Sequence, residues 1–278
     1  MSVRIVADSC CDLPEALKQD PRFVIVPLTI EVGGEHVIDD ESFNQQELLR
    51  LIAASSEPAR TACPSPDAYM KTFDCEADDI FVVTLSSKLS GSYNSAILGR
   101  DMYLEEHPGR HIHVVDSLSA CCGETQMALR IRDEYEKNRS FEEVIETVNH
   151  YRDEMNTYFV LDNLDTLRKN GRLTGLKSLM ASTLNIKPVC ASDRGEIIQK
   201  GQGIGSRKAF IKMVEFIQKE VKNPEEKRVM ITHVNCYERA MTVMDLILAR
   251  MNFKDAIVVE AAGVATTYAN DGGIVVTA

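Results

Sequence analysis

The sequence predicts an α/β protein of two domains: an N-terminal three-layer α/β domain with a mostly parallel sheet, and a C-terminal α+β domain with a mixed sheet. Three observations support this prediction. A length of 278 residues fits one large domain or two of ordinary size. Apolar runs alternate with amphipathic stretches in the first half, as in parallel strands joined by helices. A hairpin pattern interrupts that alternation in the second half.

The first domain is predicted to span residues 1–155. Its predicted strands are "VRIVADS" from Val3, "FVIVPLTIEV" from Phe23 with a break at Pro27, "DDIFVVTL" from Asp78 and "HIHVVDS" from His111. Its predicted helices lie in "CDLPEALKQD", "SFNQQELLRLIAA", "SPDAYMKTF", the stretch after "SGS", "GETQMALRIRDEYEK" and "SFEEVIETVNHYRDEM". Apolar strands alternating with such helices indicate a sheet covered on both faces.

Local residue types predict where several of these helices begin. A serine followed three positions later by Gln or Glu has the spacing of a capping box, and proline suits the first helical position. The predicted N-caps are Ser42 and Ser140, each with Gln or Glu three positions later, and Ser65, which precedes Pro66.

The second domain is predicted to span residues 156–278. It opens with a strand and a short helix that Gly171 ends. Two strands follow around an Asp-Arg-Gly turn in "LNIKPVCASDRGEIIQK". The remaining predicted elements are helices in "SRKAFIKMVEFIQKEV" and "NCYERAMTVMDLILARM", and strands in "RVMITHV" and "DAIVVEAAG".

Composition narrows the class of protein. A formal net charge of −11 argues against nucleic-acid binding, which needs a basic face. No stretch approaches the roughly eighteen uninterrupted apolar residues of a membrane span, so we expect no stable membrane insertion. The start "MSVRIVADS" leads directly into a strand and lacks the features of a signal peptide, which predicts a cytoplasmic protein. The eight cysteines then fit small, reduced, partly buried side chains.

The segment "VVTLSSKLSGSYNSAIL", residues 82–98, is a candidate anion site. A strand that leads into a helix leaves unpaired N–H groups at the helix start, where the helix dipole adds positive potential. Gly91 permits close approach of the backbone, and Ser90 and Ser92 add hydroxyl donors. The segment lacks the sequence of a Walker loop, and Lys88 stands where a GxSxG elbow has its first glycine. On these grounds, anion binding and simple capping by serine are equally supported.

Asp-Ser pairs close two of the predicted strands, at Asp8-Ser9 and Asp116-Ser117. The carboxyl ends of parallel strands share one edge of a sheet, where ligands commonly bind. Aspartate and serine also cap turns and helices, and we favour that interpretation. Thr61, in the loop "TACPSP" near the same edge, is a turn residue by itself and gains interest only beside Ser90.

A catalytic or metal site is not evident. The six histidines form no recognisable His/Asp motif, and the pair His111 and His113 lacks a third metal ligand. Arg172 and Arg207 are local cations at predicted helix ends. They fit solvated helix ends or, alternatively, docking points for an acidic partner or a phosphorylated ligand.

Taken together, the motifs resemble the DegV family of bacterial fatty-acid-binding proteins along essentially the whole chain. The stretches that carry the resemblance are, in order, "ADSCCDLP", "VPLTI" followed by Asp39-Asp40, "TACPSP", "SSKLSGSYNSA", "VVDSLSACCG", "VLDNLDTLRKNGRLTG", "LNIKPV" and "GSRKAF". Each is short, but eight in the same order are specific. The resemblance implies an α/β domain, an α+β domain and a long-chain fatty acid between them.

The resemblance also implies roles for individual residues. The fatty-acid carboxylate would be held by Thr61, Ser90 and Gly91, with Ser92 where the family often has Thr. The protein would carry its ligand without catalysis, metal or cofactor, and would present it to a separate fatty-acid kinase for phospholipid synthesis. Arg172 and Arg207 fall at basic positions of the family pattern and are candidates for docking that kinase.

The chain departs from the family pattern at two places. Cys10 and Cys11 stand where the first motif usually has Thr or Ser. Near the C-terminus, aligning the Gly-Gly turn places Tyr268 where the family has a histidine that helps to bind the carboxylate. A phenol donates one hydrogen bond but carries no positive charge near neutral pH. Thr266 or Thr267 is an alternative source of a hydroxyl.

Two other functions remain open from the sequence. Ser90 as a nucleophile would make the protein an acyl hydrolase. The substitution at position 268 leaves open a carrier of another anionic lipid or of an acyl phosphate.

Overall fold

The computed structural model describes residues 2–173 and 185–278. In the first half, the elements are β1 (Val3–Asp8), α1 (Glu15–Lys18), β2 (Phe23–Val26), β3 (Thr29–Val32), β4 (Glu35–Ile38), α2 (Gln45–Ala54), β5 (Arg60–Ala62), α3 (Pro66–Phe73), β6 (Asp79–Thr84), α4 (Ser92–Glu106), β7 (His111–Asp116), α5 (Cys122–Tyr135) and α6 (Phe141–Glu154). In the second half, they are β8 (Thr157–Val160), α7 (Asp165–Lys169), β9 (Ile186–Asp193), β10 (Glu196–Ile204), α8 (Gly205–Glu220), β11 (Arg228–His233), α9 (Tyr237–Leu248), β12 (Asp255–Glu260), α10 (Gly263–Ala269) and β13 (Ile274–Thr277).

The first sheet is parallel and has the strand order β2–β1–β6–β7. All six residues of strand β6 are buried. Because successive side chains of a strand point to opposite sides, both faces of the strand are covered. Phe81 and Val83 pack under α5 and α6, whereas Ile80 and Val82 pack under α3 and α4. The predicted three-layer α/β arrangement is therefore confirmed.

The second sheet is mixed and has the order β10–β9–β8–β13–β11–β12, in which only the pair β11–β12 is parallel among the described strands. One face packs against α8 and α9. The other face presents Phe159, Met230 and Val275 to residues of the first half, including Cys10 and Leu85. The predicted α+β architecture is confirmed, and the two halves share an apolar interface.

A small antiparallel sheet, in the order β4–β3–β5, lies beyond the sequence prediction. Strand β5 has only the length of a turn, and its partner β3 lies far away in the sequence, so no local periodicity reveals it. It places Thr61 opposite Ile30. A residue expected in a loop is thereby held by a strand.

The helix starts test the capping predictions. Ser65 and Ser140 are N-caps whose hydroxyls accept the N–H groups of Ala68 and Glu143, as predicted. The prediction for Ser42 is wrong. The N-cap of α2 is Asn44, whose side chain accepts the N–H of Glu47, while the Ser42 hydroxyl donates to Asp40.

The predicted hairpin turn between β9 and β10 is confirmed. Arg194 and Gly195 both have positive φ, 48° and 86°, as a two-residue hairpin loop requires. The change from the first sheet to the second falls between α6 and β8, and the domain boundary at residue 155 stays a prediction. Within the described ranges, no helix combines the length and the apolar character needed to cross a membrane.

Candidate functional site

The turn between β6 and α4 places Ser90 at the start of a long helix. Gly91 is the N-cap of α4, and the Ser90 hydroxyl accepts the N–H of Ser92 at 3.2 Å. Gly91 has φ −76°, so this turn does not require positive φ, but a Cβ there would lie 3.2 Å from the Cys63 thiol. Ser90 therefore caps the helix and also lines a cavity, described below.

A buried carboxylate behind this turn fixes its position. Asp8 Oδ2 accepts the N–H of Leu85 at 2.9 Å and the hydroxyl of Ser92 at 2.5 Å. Since Ser92 donates to Asp8, the Tyr69 hydroxyl donates to Ser92, at 2.6 Å. Burial raises the pKa of Asp8, and these hydrogen bonds oppose that rise. The Asp8-Ser9 strand end thus supports the turn rather than facing a ligand.

This geometry corrects the expectation for Ser92. Its side chain is completely buried, and its hydroxyl is engaged by Asp8 and Tyr69. We therefore no longer assign Ser92 to ligand binding. Its contribution is to hold the first turn of α4 in place, which leaves the hydroxyl of Ser90 as the one from the "SGS" triplet that reaches the cavity.

Another part of the same cavity lining is formed by α10 and β5. The hydroxyl of Tyr268 on α10 lies 3.0 Å from the hydroxyl of Thr61, and either group can be the donor. Both residues line the same cavity as Ser90. Sequence analysis named both residues, and the structure brings them together across a separation of 207 positions in the chain.

Arg172 adds a positive charge at this place. Its Nε donates to the carbonyl of Leu89 at 3.1 Å, its Nη1 donates to the carbonyl of Asn170, and its guanidinium lies 5.9 Å from the centroid of the Tyr268 ring. Arg172 lines the cavity as well. Arg172 thus lines the cavity beside Tyr268, and the docking role suggested for it by the family resemblance stays a prediction. Arg207 is exposed at the start of α8, and its docking role stays a prediction.

The other candidates from the C-terminal stretch point elsewhere. Thr266 is fully buried, and its hydroxyl accepts a hydrogen bond from Gln45 Nε2 at 3.2 Å. The hydroxyl of Thr267 donates to the carbonyl of Gly263 within the helix. The expectation that Thr266 binds the ligand is therefore corrected, because its side chain faces α2 rather than Ser90.

The cavity behind these polar groups is mainly apolar. It has an empty volume of about 800 Å³, which includes some space open to solvent, and we call it the ligand cavity. Both halves of the chain line it. The apolar contributors include Cys10, Leu85, Leu89, Ala120 and Cys121 from the first half, and Phe159, Leu161, Leu167, Ile197, Val264, Ala265, Ala269 and Val275 from the second.

The two cysteines in this wall are residues that sequence reasoning noted without assigning a role. Cys10 and Cys121 are buried and in contact through their thiols. The Cys121 hydrogen bond opposes ionisation of Cys10, and burial adds to this, so that the pKa of Cys10 is raised well above its usual value. Protonated thiols are weakly polar and inert, so this pair forms part of an apolar surface.

The described residues show neither a histidine in the ligand cavity nor a cluster of metal ligands. Of the described side chains that line the ligand cavity, none belongs to a histidine. No group of three or more His, Cys, Asp or Glu residues in the ranges 2–173 and 185–278 is placed to hold a metal ion. The arrangement suits an elongated apolar molecule with a polar end, and Ser90, Thr61, Tyr268 and Arg172 are among the polar residues that line it.

Comparison with known proteins agrees with the sequence motifs. The family model of the DegV proteins, described as uncharacterised, matches residues 2–278. The chain belongs to the DegV family. A DegV domain-containing protein of Streptococcus gordonii is 37% identical over 99% of this chain and 98% of its own length. The family assignment made from the ordered motifs is therefore confirmed.

Solved structures of DegV proteins extend the comparison. A protein from Ruminococcus gnavus, refined with vaccenic acid, is 46% identical with a TM-score of 0.98, covering 100% of this chain and 99% of its own. A Streptococcus pneumoniae protein named fatty acid kinase B3 protein, loaded with linoleic acid, is 33% identical with a TM-score of 0.91 over 100% and 99% of the two chains. A Eubacterium eligens protein loaded with heptadecanoic acid is 30% identical with a TM-score of 0.91, over 99% of each chain.

Proposed function

We propose that this DegV protein binds a long-chain fatty acid without covalent chemistry and presents it to a separate fatty-acid kinase. The observation that carries the proposal is the ligand cavity, which is mainly apolar and includes Thr61, Ser90, Arg172 and Tyr268 in its lining. Its other described polar lining side chains are those of Ser119, Thr157 and Ser192. The three similar structures above hold fatty acids of different chain length and unsaturation. The name of the Streptococcus pneumoniae protein supports the kinase as partner.

In this proposal the apolar tail of the fatty acid supplies most of the affinity, and its carboxylate sets the orientation. Each buried methylene is worth roughly 0.8 kcal/mol, so a tail of about ten buried methylenes supplies most of the affinity. The carboxylate receives a hydroxyl donor from Ser90, the dipole of α4 and the charge of Arg172. Tyr268 adds a neutral donor where the family has a histidine, and the cation therefore comes from Arg172.

The proposed carrier needs no metal or cofactor and works in the cytoplasm, where fatty acids would otherwise stay in membranes. Extraction of the purified protein with organic solvent, followed by mass spectrometry, identifies the copurified molecule. We expect a fatty acid. If none is extracted, and the delipidated protein takes up none, the proposal is wrong. The mass of an acyl phosphate or another anionic lipid would redirect it to that ligand.

The role of Ser90 has a direct test. Ser90→Ala removes the hydroxyl that faces the carboxylate, and we expect fatty-acid affinity to fall by about fivefold, which corresponds to about 1 kcal/mol. Ser87→Ala, three residues earlier in the same turn, is the matched control and should retain its affinity. An adduct of a fluorophosphonate probe on Ser90 would instead indicate a nucleophile and contradict the carrier.

A further inference from the structure

Helix α10 is a wall of the ligand cavity, and its start is held by the first half of the chain. Asp12 Oδ1 accepts the N–H of Ala262 at 2.7 Å. Asp39 accepts the N–H groups of Gly263 and Val264 with its two oxygens, at 2.6 and 2.9 Å. Ionised or polar side chains at such positions satisfy the free N–H groups of a helix start.

Gln45 completes this arrangement. Its Nε2 donates to the carbonyl of Ala261 at 2.9 Å. Gly263 packs closely against the first half of the chain: a Cβ added to it would lie 2.6 Å from Asp39 Oδ1 and 2.7 Å from Ile30 Cδ1. We call residues 261–264, with the side chains of Asp12, Asp39 and Gln45, the α10 junction. The α10 junction therefore fixes the start of the helix that carries Tyr268 and lines the ligand cavity.

The two carboxyl groups of the α10 junction are used differently. Both oxygens of Asp39 accept backbone N–H groups, which favours the ionised form. Only Oδ1 of Asp12 does so; its Oδ2 is buried without a hydrogen-bond partner in the described part of the chain. An uncompensated charge on a buried oxygen is costly, so the natural place for a proton is Asp12 Oδ2. Burial raises the pKa of Asp12 to about 7 and that of Asp39 to about 6.

A second cavity gives protons access to this place. It is lined by Asp12, Asp39, Gln45, Ala261 and Ala262, and its empty volume of about 1770 Å³ includes space open to solvent. We call it the acidic cavity. It is lined by Ala261 and Ala262, whereas Val264 and Ala265, which follow closely in the chain, line the ligand cavity. The α10 junction is thus shared by both cavities.

The groups that face the two carboxyls are mainly acids and neutral thiols. On the protein side, these are Asp8, next to Glu124, and the thiols of Cys10, Cys11, Cys121 and Cys122. Around the acidic cavity they are Asp40, Glu41, Glu260 and Lys18. The Lys18 ammonium lies 3.2 Å from Glu15 and its side chain is 56% exposed. The surroundings are therefore mostly neutral or negative, and they disfavour a second buried charge beside Asp39. Burial, which raises the pKa of Asp12, outweighs the Thr232 hydroxyl and the Cys121 thiol, which lower it.

We propose that Asp12 is a proton-controlled latch of the ligand cavity, which holds the α10 junction closed when protonated and loosens it when ionised. This inference rests on the proposed fatty-acid binding. Its direction follows from linkage. A carboxyl group that keeps its proton to higher pH in the closed junction than in solvent takes up a proton on closing. Raising the pH from about 4 to about 7 therefore shifts the population towards the open junction and speeds ligand release, and the shift is complete somewhat above pH 7.

The test measures the dissociation rate of radiolabelled oleate from the loaded protein between pH 6 and 8.5. For one proton held to about pH 7 in the closed junction and to about pH 4 in solvent, the fraction of open junction, and hence the rate, should rise by about tenfold, with most of the rise below about pH 7.5. Asp12→Asn mimics the protonated group, so its dissociation should stay slow and vary by less than about twofold. Asp245→Asn, at an exposed position on α9 that lines neither cavity, should keep the unmodified pH profile. Titration of oleate itself is common to all three proteins.

The outcomes separate the two proposals. Absence of bound label before dissociation contradicts the fatty-acid function. Normal loading with the same pH profile in Asp12→Asn overturns the latch alone. A carbon-13 NMR titration of the Asp12 carboxyl in the unsubstituted protein gives a second test, which does not depend on folding of the variant. Retention of the proton to about pH 7 supports the latch, and loss of the proton below about pH 5, near the ordinary value for aspartate, overturns it.

Discussion

The ligand cavity and the acidic cavity lie beside the same short helix, α10, but differ in whether their polar groups are hydrogen-bonded. In the ligand cavity, the hydroxyls of Thr61 and Tyr268 bond to each other, and Arg172 is anchored to the backbone. In the acidic cavity, Asp12 Oδ2 and Gln45 Oε1 are buried acceptors for which the described residues supply no donor. One cavity offers donors and a cation, and the other offers acceptors.

This difference indicates what each cavity can bind and release. Buried polar groups are normally satisfied, so an unsatisfied group marks a place where something enters or leaves. The positive charge of Arg172 beside an apolar wall suits an amphipathic anion. The unpaired acceptor on Asp12 suits a proton. Helix α10 connects the two, because Tyr268 faces one cavity and residues 261–262 face the other.

The largest expected effect is loss of ligand when the apolar wall is filled. Ala120 lines the ligand cavity, and Ala120→Phe places a ring where the tail would lie. Displacing about four methylenes removes roughly 3 kcal/mol, so affinity should fall by about a hundredfold or more. Titration with a fluorescent fatty acid measures the change, and the melting temperature shows whether folding is retained.

Ala249→Phe, at the exposed end of α9, is the control for this substitution. It adds the same ring outside both cavities and should bind the fatty acid normally. If Ala120→Phe also binds normally, the tail does not occupy the ligand cavity. The acidic cavity would then be the candidate lipid site.

The next effect concerns the cation. Arg172→Gln removes the positive charge from the lining of the ligand cavity, and a charge-assisted hydrogen bond is worth about 1.5 to 3 kcal/mol. We expect fatty-acid affinity to fall by about tenfold, with a smaller difference at high salt. Arg207→Gln, at an exposed position on α8, should leave affinity unchanged.

These two arginine variants also separate ligand binding from docking. Phosphorylation of the bound fatty acid by a purified kinase is the second measurement. A loss for Arg207→Gln with unchanged fatty-acid affinity would support docking at Arg207. Equal ligand affinity in Arg172→Gln and the unsubstituted protein would contradict the ligand-binding role given to Arg172 and leave only the docking hypothesis for it.

The sequence predicted those features of the fold that local patterns determine. Alternating apolar runs located the strands of the parallel sheet, and serine spacing located the starts of α3 and α6. The same reasoning failed at α2, because Asn44 competes with Ser42 and stands three positions before Glu47, as Ser42 stands three positions before Gln45. The Gln45 side chain does not take part in capping, because it donates to the Ala261 carbonyl in the α10 junction. Local spacing shows that a cap is near but does not choose between adjacent candidates.

The candidate site was predicted in part, through the resemblance rather than through physics alone. Motif order named Thr61, Ser90 and Tyr268, but no local pattern shows that the first and last meet across 207 positions. The role of Ser92 was missed because its partner Asp8 lies 84 positions away. The acidic cavity was not anticipated either, since its carboxyl groups come from separate loops. Contacts of this kind depend on tertiary packing.

The smallest expected effect tests the residue at the family's histidine position. Tyr268→Phe keeps the ring beside the Arg172 guanidinium and removes only the hydroxyl that bonds to Thr61. A neutral hydrogen bond is worth about 1 kcal/mol, so affinity for the fatty acid should fall by about fivefold. Tyr237→Phe, at an exposed tyrosine of α9, is the control and should bind normally. Unchanged affinity in Tyr268→Phe would mean that Tyr268 serves only to pack against Arg172, and that the ligand cavity orients its anion through Ser90 and Arg172 alone.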